Sequence, residues 1–329
     1  MFKYILKRLL ISILILFGVS ILLYTLLRCI PTDIVDQKII ALNQTGVNVS
    51  DEFIKEMYKA YGLDGTILEG YFDWLKNVFQ LNFGKSFISQ REVLSELFNG
   101  DRLGTSFLVA AIATVFEFLI AIPLGITAAT HQYSLRDYLV TVLVLIGISL
   151  PSFFFGQMLK DIFANKLGWL PVSGMKDASL TYANGWEATW DYLRHMFLPI
   201  LTVVVLSIGG RMRMTRTNML EVLNADYIRT ARAKGLGEGK VIYKHAFRNT
   251  MIPIVTGLAG LIPSLFSGAM ITESVFDLTG IGNYALAAMT QGDIPVIMTY
   301  NMFLAVLSVT GVLLADLMYA VVDPRVKLA

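Results

Sequence analysis

A strongly basic stretch between two apolar segments has the clearest potential to bind a partner. Residues 211–250, the inner loop, carry nine Lys and Arg residues against three acids. Ala225 to Lys234 has the pattern of a short helix; glycines follow at 235, 237 and 239, and a second helical stretch begins at Lys240. Because positive charge is retained on the cytoplasmic side of membranes, this loop is predicted to be cytoplasmic. A helix–glycine–helix unit there indicates a docking element for a soluble protein.

Two glycine-containing runs look like phosphate-binding loops but lack the required spacing. Phe83–Ser86 ends like a P-loop, yet position 79, where that motif needs its first glycine, holds phenylalanine. Gly235–Lys240 has neither the P-loop nor the dinucleotide spacing. With one cysteine, three scattered histidines and no nucleophile–base set, the chain is predicted to have no catalytic site, metal site or cofactor of its own. If ATP drives its function, the ATPase is a separate polypeptide.

Two acidic residues, Glu117 and Asp316, fall inside apolar segments. A charged residue at the centre of a span costs roughly 2.5–3.5 kcal/mol on insertion scales, so each is a candidate functional residue. For Glu117 two interpretations stay open. It lines a solute path and attracts a cationic group, or it pairs with a polar residue of a partner subunit. Asp316 is expected to be structural, since it lies about two helical turns from Arg325.

The elements that must position these residues are membrane helices. Of 329 residues, 55% are hydrophobic and 16% are charged, and the mean hydropathy is +0.61. Six apolar segments are candidate spans, and the fourth is short enough to need residues from its basic flank. They are Leu9–Leu27, Leu103–Ala129, Tyr138–Leu159, Met196–Gly210, Met251–Ile271 and Val296–Val322. We therefore predict an all-α polytopic membrane protein with six transmembrane helices.

The distribution of charge predicts the orientation and divides the chain. With the N-terminus inside, the inner segments hold 15 Lys and Arg against 5 acids, and the outer segments hold 12 against 18. Both termini are therefore predicted to be cytoplasmic. Residues 1–29 form a tail and an uncleaved first span, residues 30–102 form the outer segment, and residues 103–329 form a five-helix core that includes the inner loop. A cleaved signal peptide is disfavoured because the first apolar run is long and no cleavage site follows it.

The outer segment has the sequence of a folded unit. Ser50 is placed to cap a helix that Gly62 ends. Four apolar residues then form a face at helical spacing: Trp74, Leu75, Val78 and Phe79. The outer segment is predicted to dock an external protein or to cover the outer mouth of the helices, and the two roles are compatible.

Prolines and glycines inside the spans predict bends and close packing. Pro123, Pro151, Pro253 and Pro263 are expected to kink or break their helices. Small residues such as Gly125 and Gly147 allow close approach of neighbouring helices. Packing is the main role expected for them, and lining a gate at a bent helix is the alternative.

Several strings, in this order, resemble one family of permeases. The inner loop reads DYIRTARAKG over Asp226–Gly235 and is followed by Arg248, Asn249 and Pro253. The other matching strings are Tyr61–Asp64, Tyr71–Leu75, Phe83–Ser86, Glu273–Ile297 and Ala315–Leu328. The chain is similar to permeases of the dipeptide, oligopeptide and nickel ABC importers, and in particular to B-type peptide subunits. The Glu-Ala-Ala pattern of other ABC importers is replaced here by Arg229, Thr230 and Ala231.

The resemblance implies a type I ABC-importer permease fold and a coupling helix that sits in a groove on an ATPase subunit. The residues implied for that helix are Asp226, Tyr227, Arg229, Thr230, Ala231, Arg232, Ala233, Lys234 and Gly235. It further implies that the chain forms half of the transmembrane pathway for dipeptides or oligopeptides. A paralogous permease forms the other half, two ABC ATPase subunits hold ATP and Mg, and an extracytoplasmic solute-binding protein delivers the cargo.

Two alternatives remain for the function. Within the family, the alternative is a permease for nickel or a metal chelate. From a different class, the alternative is a secondary transporter or channel, but it would leave the long basic inner loop without a purpose. It would also need a larger set of ion-coupling groups than Glu117 and Asp316.

Overall fold

The computed structural model describes residues 2–30, 34–44, 49–177, 179–257 and 260–322. In these ranges the chain is mostly helical and forms no β-strand, apart from one isolated bridge between Lys85 and Glu92. Two π-helical segments, Lys160–Lys166 and Lys240–Ala246, accompany the α-helices. The α-helices are α1 (Phe2–Arg28), α2 (Ile34–Gln44), α3 (Asp51–Ala60), α4 (Ile67–Phe79), α5 (Val93–Leu97), α6 (Gly100–Thr130), α7 (Leu135–Ser149), α8 (Ser152–Leu159), α9 (Gly185–Leu223), α10 (Asp226–Ala233), α11 (Phe247–Gly257), α12 (Leu261–Ser267), α13 (Met270–Val275), α14 (Ile281–Gln291) and α15 (Ile294–Val322).

Helical structure lies at each of the six predicted spans, but among the described residues only four helices are long and apolar enough to cross a membrane, or five if the bent pair is one span. Long apolar windows lie in α1, α6, α9 and α15, and α6 continues through Pro123 without interruption. The third span is broken at Leu150 and Pro151, where the chain turns by 100° between α7 and the helix that starts with α8. The fifth span consists of α11, α12 and the start of α13; its residues 258–259 lie outside the described ranges.

The fourth span belongs to a longer helix than the sequence suggested. α9 has 39 residues, so residues 211–223 of the basic flank continue the helix, as expected for a fourth span that is short on its own. That stretch contains neither glycine nor proline. Met212, Thr215 and Met219 are buried at the spacing of one helix face, which is the signal of a continuing helix.

Glycines allow α6, α7 and α9 to pack closely, as predicted. A Cβ atom at Gly125 of α6 would lie 2.7 Å from the Cβ atom of Thr215 in α9. Gly209 of α9 leaves room for Ile148 of α7 in the same way, and a Cβ atom at Gly147 would lie 3.2 Å from a backbone oxygen of α9. Small residues at such contacts let membrane helices approach each other.

The first part of the outer segment follows its local signals. The Ser50 side chain accepts a hydrogen bond from the backbone N–H of Phe53 at 3.3 Å, and Gly62 follows the end of α3 with φ +63°. Both predicted helix ends are therefore confirmed. α4 begins with a reciprocal cap between Thr66 and Glu69, and hydrogen bonds from Thr66 hold the pKa of the Glu69 carboxyl below its usual value.

One residue of the predicted apolar face of α4 is exposed. Tyr71 is buried against Tyr24 of α1, with 5.7 Å between the ring centroids, and Val78 is half-buried. Phe79 is 81% exposed, so this member of the predicted apolar face is not part of the packed side of α4. Val78 is seven residues after Tyr71 and therefore lies on nearly the same side of the helix. Phe79 is eight residues after Tyr71 and points about 80° away from it around the helix axis.

Candidate functional site

The predicted coupling helix is present as α10, immediately after α9. Asn224 caps the end of α9, and the extended backbone of Ala225 (φ −73°, ψ 148°) turns the chain before α10 begins. The second helical stretch begins at Lys240, as predicted, as a π-helical segment that leads into α11. The helix–glycine–helix pattern of the inner loop is thus confirmed as secondary structure.

One face of α10 is anchored to the rest of the chain. Ile228 is fully buried and Ala231 is 7% exposed. Both lie in a hydrophobic cluster with Met219 of α9 and with Val241 and Ala246 of the following helical segment. Complete burial of an isoleucine side chain contributes roughly 1.5–3 kcal/mol. The cluster also contains Ile126 and Ala129 of α6, so it fixes α10 to the ends of both α9 and α6.

The opposite face of α10 is free for contact. Eight of the nine predicted coupling residues are exposed: Asp226, Tyr227, Arg229, Thr230, Arg232, Ala233, Lys234 and Gly235. Ala231 lies in the core, so it supports the helix from within. Sequence reasoning missed Ile228 as the main anchor. The sequence does contain an indication of this buried face, because Ile228 and Ala231 are apolar residues one turn apart in an otherwise polar helix.

Gly235 ends α10 in a left-handed conformation, with φ +75°. Its backbone N–H donates to the carbonyl of Arg232 at 2.9 Å, and that of Leu236 donates to the carbonyl of Ala231 at 3.4 Å. The Leu236 side chain then packs on the same cluster as Ile228. Among the described residues, no heavy atom lies within 4 Å of a Cβ atom built at Gly235. The need for glycine therefore comes from the backbone conformation, which L-residues avoid.

Polar contacts connect α10 with the segments that follow it. The guanidinium of Arg232 donates to Glu238 at 2.8 Å, and the side chain of Asn249 donates to the Tyr227 hydroxyl oxygen at 3.0 Å. Arg229 is 3.7 Å from an exposed carboxylate one turn earlier, a pair that adds little stability in water. The exposed surface is therefore cationic and hydrogen-bonding, which suits a groove with acidic and polar groups.

An ion pair between a partly exposed arginine and a buried carboxylate links the same end of α9 to α7. Arg216 donates to both carboxylate oxygens of Asp137, at 3.0 and 2.9 Å, and Asp137 is 4% exposed. A bidentate arginine–carboxylate pair fixes orientation as well as distance. Sequence reasoning missed it because the two residues are 79 positions apart.

Glu117 is buried in α6 and is paired within the chain. Its Oε1 atom accepts a hydrogen bond from Arg211 Nε at 2.9 Å, and the guanidinium lies over the Phe118 ring, 4.5 Å from its centroid. Arg211 reaches Glu117 because α9 continues past Gly210. The internal partner accounts for the carboxylate in a span, and the lining of a solute path by Glu117 stays a prediction.

Asp316 also has a partner within the chain. Its Oδ2 atom is 3.1 Å from Arg8 Nη2, so the acid links α15 to α1. The predicted neighbour, Arg325, lies outside the described residues. A structural role for Asp316 fits this contact.

Comparison with known proteins places this arrangement in a family. Residues 121–328 match the model described as "Binding-protein-dependent transport system inner membrane component", and residues 1–110 match its N-terminal counterpart. The chain belongs to this family of inner membrane transport components. Together with its apolar helices, membership makes it a multi-pass membrane protein.

Full-length relatives of this permease carry related names. The oligopeptide transport system permease protein AppB of Bacillus subtilis is 36% identical over 331 residues, covering 99% of this chain and 100% of AppB. The dipeptide transport system permease protein DppB of Alkalihalophilus pseudofirmus is 33% identical, covering 99% of this chain and 100% of DppB. The di/tripeptide permease DppB of Pseudomonas aeruginosa is 31% identical, covering 99% of each chain.

A solved structure shows the fold of the permease. An inward-facing form of the MetNI methionine ABC transporter matches with a TM-score of 0.50 and 15% identity, covering 67% of this chain and 94% of that chain. The predicted fold class, an all-α permease of the type I ABC-importer kind, is thereby confirmed.

Proposed function

We propose that this protein is the permease subunit of an ATP-driven peptide importer and forms half of its transmembrane pathway. The observation that carries the proposal is similarity over 99% of the chain to relatives named as oligopeptide and dipeptide permeases. These names do not favour the nickel or metal-chelate alternative. Nor do they favour a secondary transporter or channel.

The proposed assembly contains four kinds of subunit. A paralogous permease completes the pathway, because one set of helices cannot both enclose a peptide-sized path and separate it from lipid. Two ABC ATPase subunits bind ATP and Mg and carry out hydrolysis, while this chain performs no covalent chemistry. An extracytoplasmic solute-binding protein delivers the peptide to the outer segment. Both termini and the inner loop face the cytoplasm in this assembly.

Within the proposed mechanism, α10 docks in a groove of an ATPase subunit through its exposed face. Closure of the ATPase pair displaces α10, and the cluster around Ile228 passes this displacement to α9. The pair between Arg216 and Asp137 and the close contact of Gly125 with Thr215 then pass it to α7 and α6. Packed helices transmit such shifts because their interfaces change between discrete arrangements.

The test is reconstitution of the complete complex in liposomes with its external binding protein. We expect uptake of radiolabelled trialanine that requires ATP on the ATPase side and stops when the ATPase subunits are omitted. Uptake of a nickel chelate in place of peptide would establish the alternative substrate. Peptide uptake that follows an ion gradient without the ATPase subunits would refute the proposed function.

A further inference from the structure

Two buried carboxylates flank α14, on the side of the chain predicted to be outside. Glu273 lies in α13, before the start of α14, and its side chain is fully buried. Asp293 follows the end of α14 and is 2% exposed. The ion pairs found among the described residues include neither acid. Each carboxylate instead accepts hydrogen bonds from neutral groups. The transport mechanism proposed above gives neither acid a role.

The Glu273 carboxylate joins three helices at one point. Its Oε1 atom accepts hydrogen bonds from the Ser106 hydroxyl of α6 at 2.7 Å and from the backbone N–H of Ala269 at 3.2 Å. Its Oε2 atom accepts from the backbone N–H of Asn283, in the first turn of α14, at 2.9 Å. The Ser106 oxygen in turn accepts from the backbone N–H of Ile281 at 2.9 Å. The free N–H groups at the start of α14 are thus bound by a carboxylate and a hydroxyl that other helices supply.

Three glycines shape the space around this carboxylate. A Cβ atom at Gly268 would lie 2.6 Å from Glu273 Oε1, and one at Gly282 would lie 2.9 Å from Oε2. A Cβ atom at Gly280 would overlap the carboxylate more severely. Side chains at these three positions would therefore displace the Glu273 carboxylate. The backbone around it leaves room for the carboxylate only because these residues are glycines.

The Asp293 carboxylate attaches the other end of α14 to the outer segment. Its Oδ2 atom accepts from the Ser86 hydroxyl at 2.5 Å, and its Oδ1 atom accepts from the backbone N–H of Phe87 at 3.1 Å. Gly292, left-handed with φ +69°, ends α14, and the Asp293 N–H donates to the carbonyl of Ala288 at 2.9 Å. The turn at residues 86–87 is therefore bound directly to the end of α14.

Between its attachments to Glu273 and Asp293, α14 is packed against neighbouring helices along its length. One face of it is buried against α5 and α15. The buried residues on that face and on its two neighbours are Ile281, Ala285, Ala288, Val93, Leu97, Val296, Ile297 and Tyr300. A helix that is packed along its length and bound at both ends resists shortening and bending, so a displacement of one end is transmitted to the other.

We propose that Glu273 and Asp293 are positioning residues that make α14 a strut between the outer segment and α6. A displacement of the turn at residues 86–87, caused by an external protein that docks on the outer segment, reaches Ser106 through α14. The inference rests on the proposed function, since that function supplies the docking protein. If Glu273 and Asp293 lie on one path of transmission, loss of either residue interrupts that path, and their effects should not add. A double-mutant cycle measures this non-additivity directly.

The experiment uses Glu273→Gln, Asp293→Asn and the double variant in the complete complex in liposomes. An amide has one acceptor oxygen, so each change loses at least one of the described bonds with almost no change in volume. The ATPase rate is measured with and without external binding protein in the presence of trialanine. We expect stimulation by the binding protein to fall about threefold or more in each single variant. The double variant should lose no more stimulation than the more strongly affected single variant. The unstimulated ATPase rate and the recovery of the complex should stay unchanged.

The control is Asp277→Asn, an exposed acid between the same helices whose φ of +52° asparagine tolerates. Unchanged stimulation in both single variants, multiplied losses in the double variant, or equal loss of stimulated and unstimulated rates would overturn the strut. If an amide variant does not assemble, Ser106→Ala and Ser86→Ala remove the partner hydroxyls, keep both acids and carry the same expectation. A wild-type complex that the binding protein does not stimulate would refute the proposed function, and the strut with it.

Discussion

Replacement of Gly235 by valine tests the coupling role of α10 most directly. The left-handed backbone at Gly235 places Leu236 back on the cluster that anchors Ile228. Valine disfavours this conformation, whereas the space around the position is open among the described residues. The change therefore acts on the end of α10 and leaves the buried face of the helix in place.

The size of the effect follows from the cost of the conformation. A left-handed backbone costs an L-residue about 1–2 kcal/mol, and a β-branched residue is expected at the upper end. A change of that size lowers the ratio of the native to the alternative conformations at the end of α10 by about 5- to 30-fold. We expect coupled peptide uptake to fall by up to this factor, or ATP hydrolysis to continue without uptake. Membrane insertion and recovery of the complex should remain normal.

The assay is uptake and ATP hydrolysis measured side by side in the reconstituted complex. Gly239→Val is the size-matched control, because Gly239 has a helical backbone (φ −59°) and open surroundings. Its effect should stay below about twofold, because glycine and valine differ in helix propensity by only a few tenths of a kcal/mol, in favour of valine. Gly235→Asn should be intermediate, since asparagine adopts the left-handed region more readily. Normal coupled uptake in Gly235→Val, or equal losses in both valine variants, would contradict the assigned role of α10.

Two further predictions concern orientation and the buried pair. In a Cys29→Ser background, Lys59→Cys should react with an impermeant thiol reagent on intact cells while Lys244→Cys is protected; the reverse pattern would overturn the topology. Glu117→Gln removes the negative charge beside the partly exposed guanidinium of Arg211 but keeps one acceptor oxygen, so the loss should stay below the roughly 3–5 kcal/mol of a broken buried pair. We expect lower uptake or lower recovery of the second permease, partly restored by adding Arg211→Gln. Normal uptake and recovery in the single variant would show that the pair is dispensable.

Local signals predicted α10 and the start of the outer segment well. Ser50, Gly62 and Gly235 each act on the few residues beside them, through a cap or a left-handed backbone. Such effects can be read along the chain because both partners lie within one or two turns. The apolar windows likewise located the spans, since the length of a bilayer fixes the length of a helix that crosses it.

Contacts between distant residues could not be predicted in the same way. Pro151 predicts a break, but the angle of 100° depends on how the helix after it packs. Arg211 was assigned to a loop, which hid its pairing with Glu117, 94 positions earlier. The cradle around Glu273 unites residues from three helices, and the sequence contains no spacing that brings Ser106 to them. Tertiary packing decides each of these features.

The length of α9 has a mechanical consequence. A helix of 39 residues is about 58 Å long, which is about 28 Å more than the thickness of the hydrocarbon core of a bilayer, about 30 Å. The close contacts of Gly209 with α7 and of Thr215 with α6 lie in the second half of α9, so they define the point about which the helix can tilt. A tilt of about 10° about this point moves the N-terminal end of α9 by about 7 Å and its C-terminal end by about 3 Å. The two ends move in opposite directions, so in the proposed importer a single tilt would couple wider access on one side of the membrane to narrower access on the other.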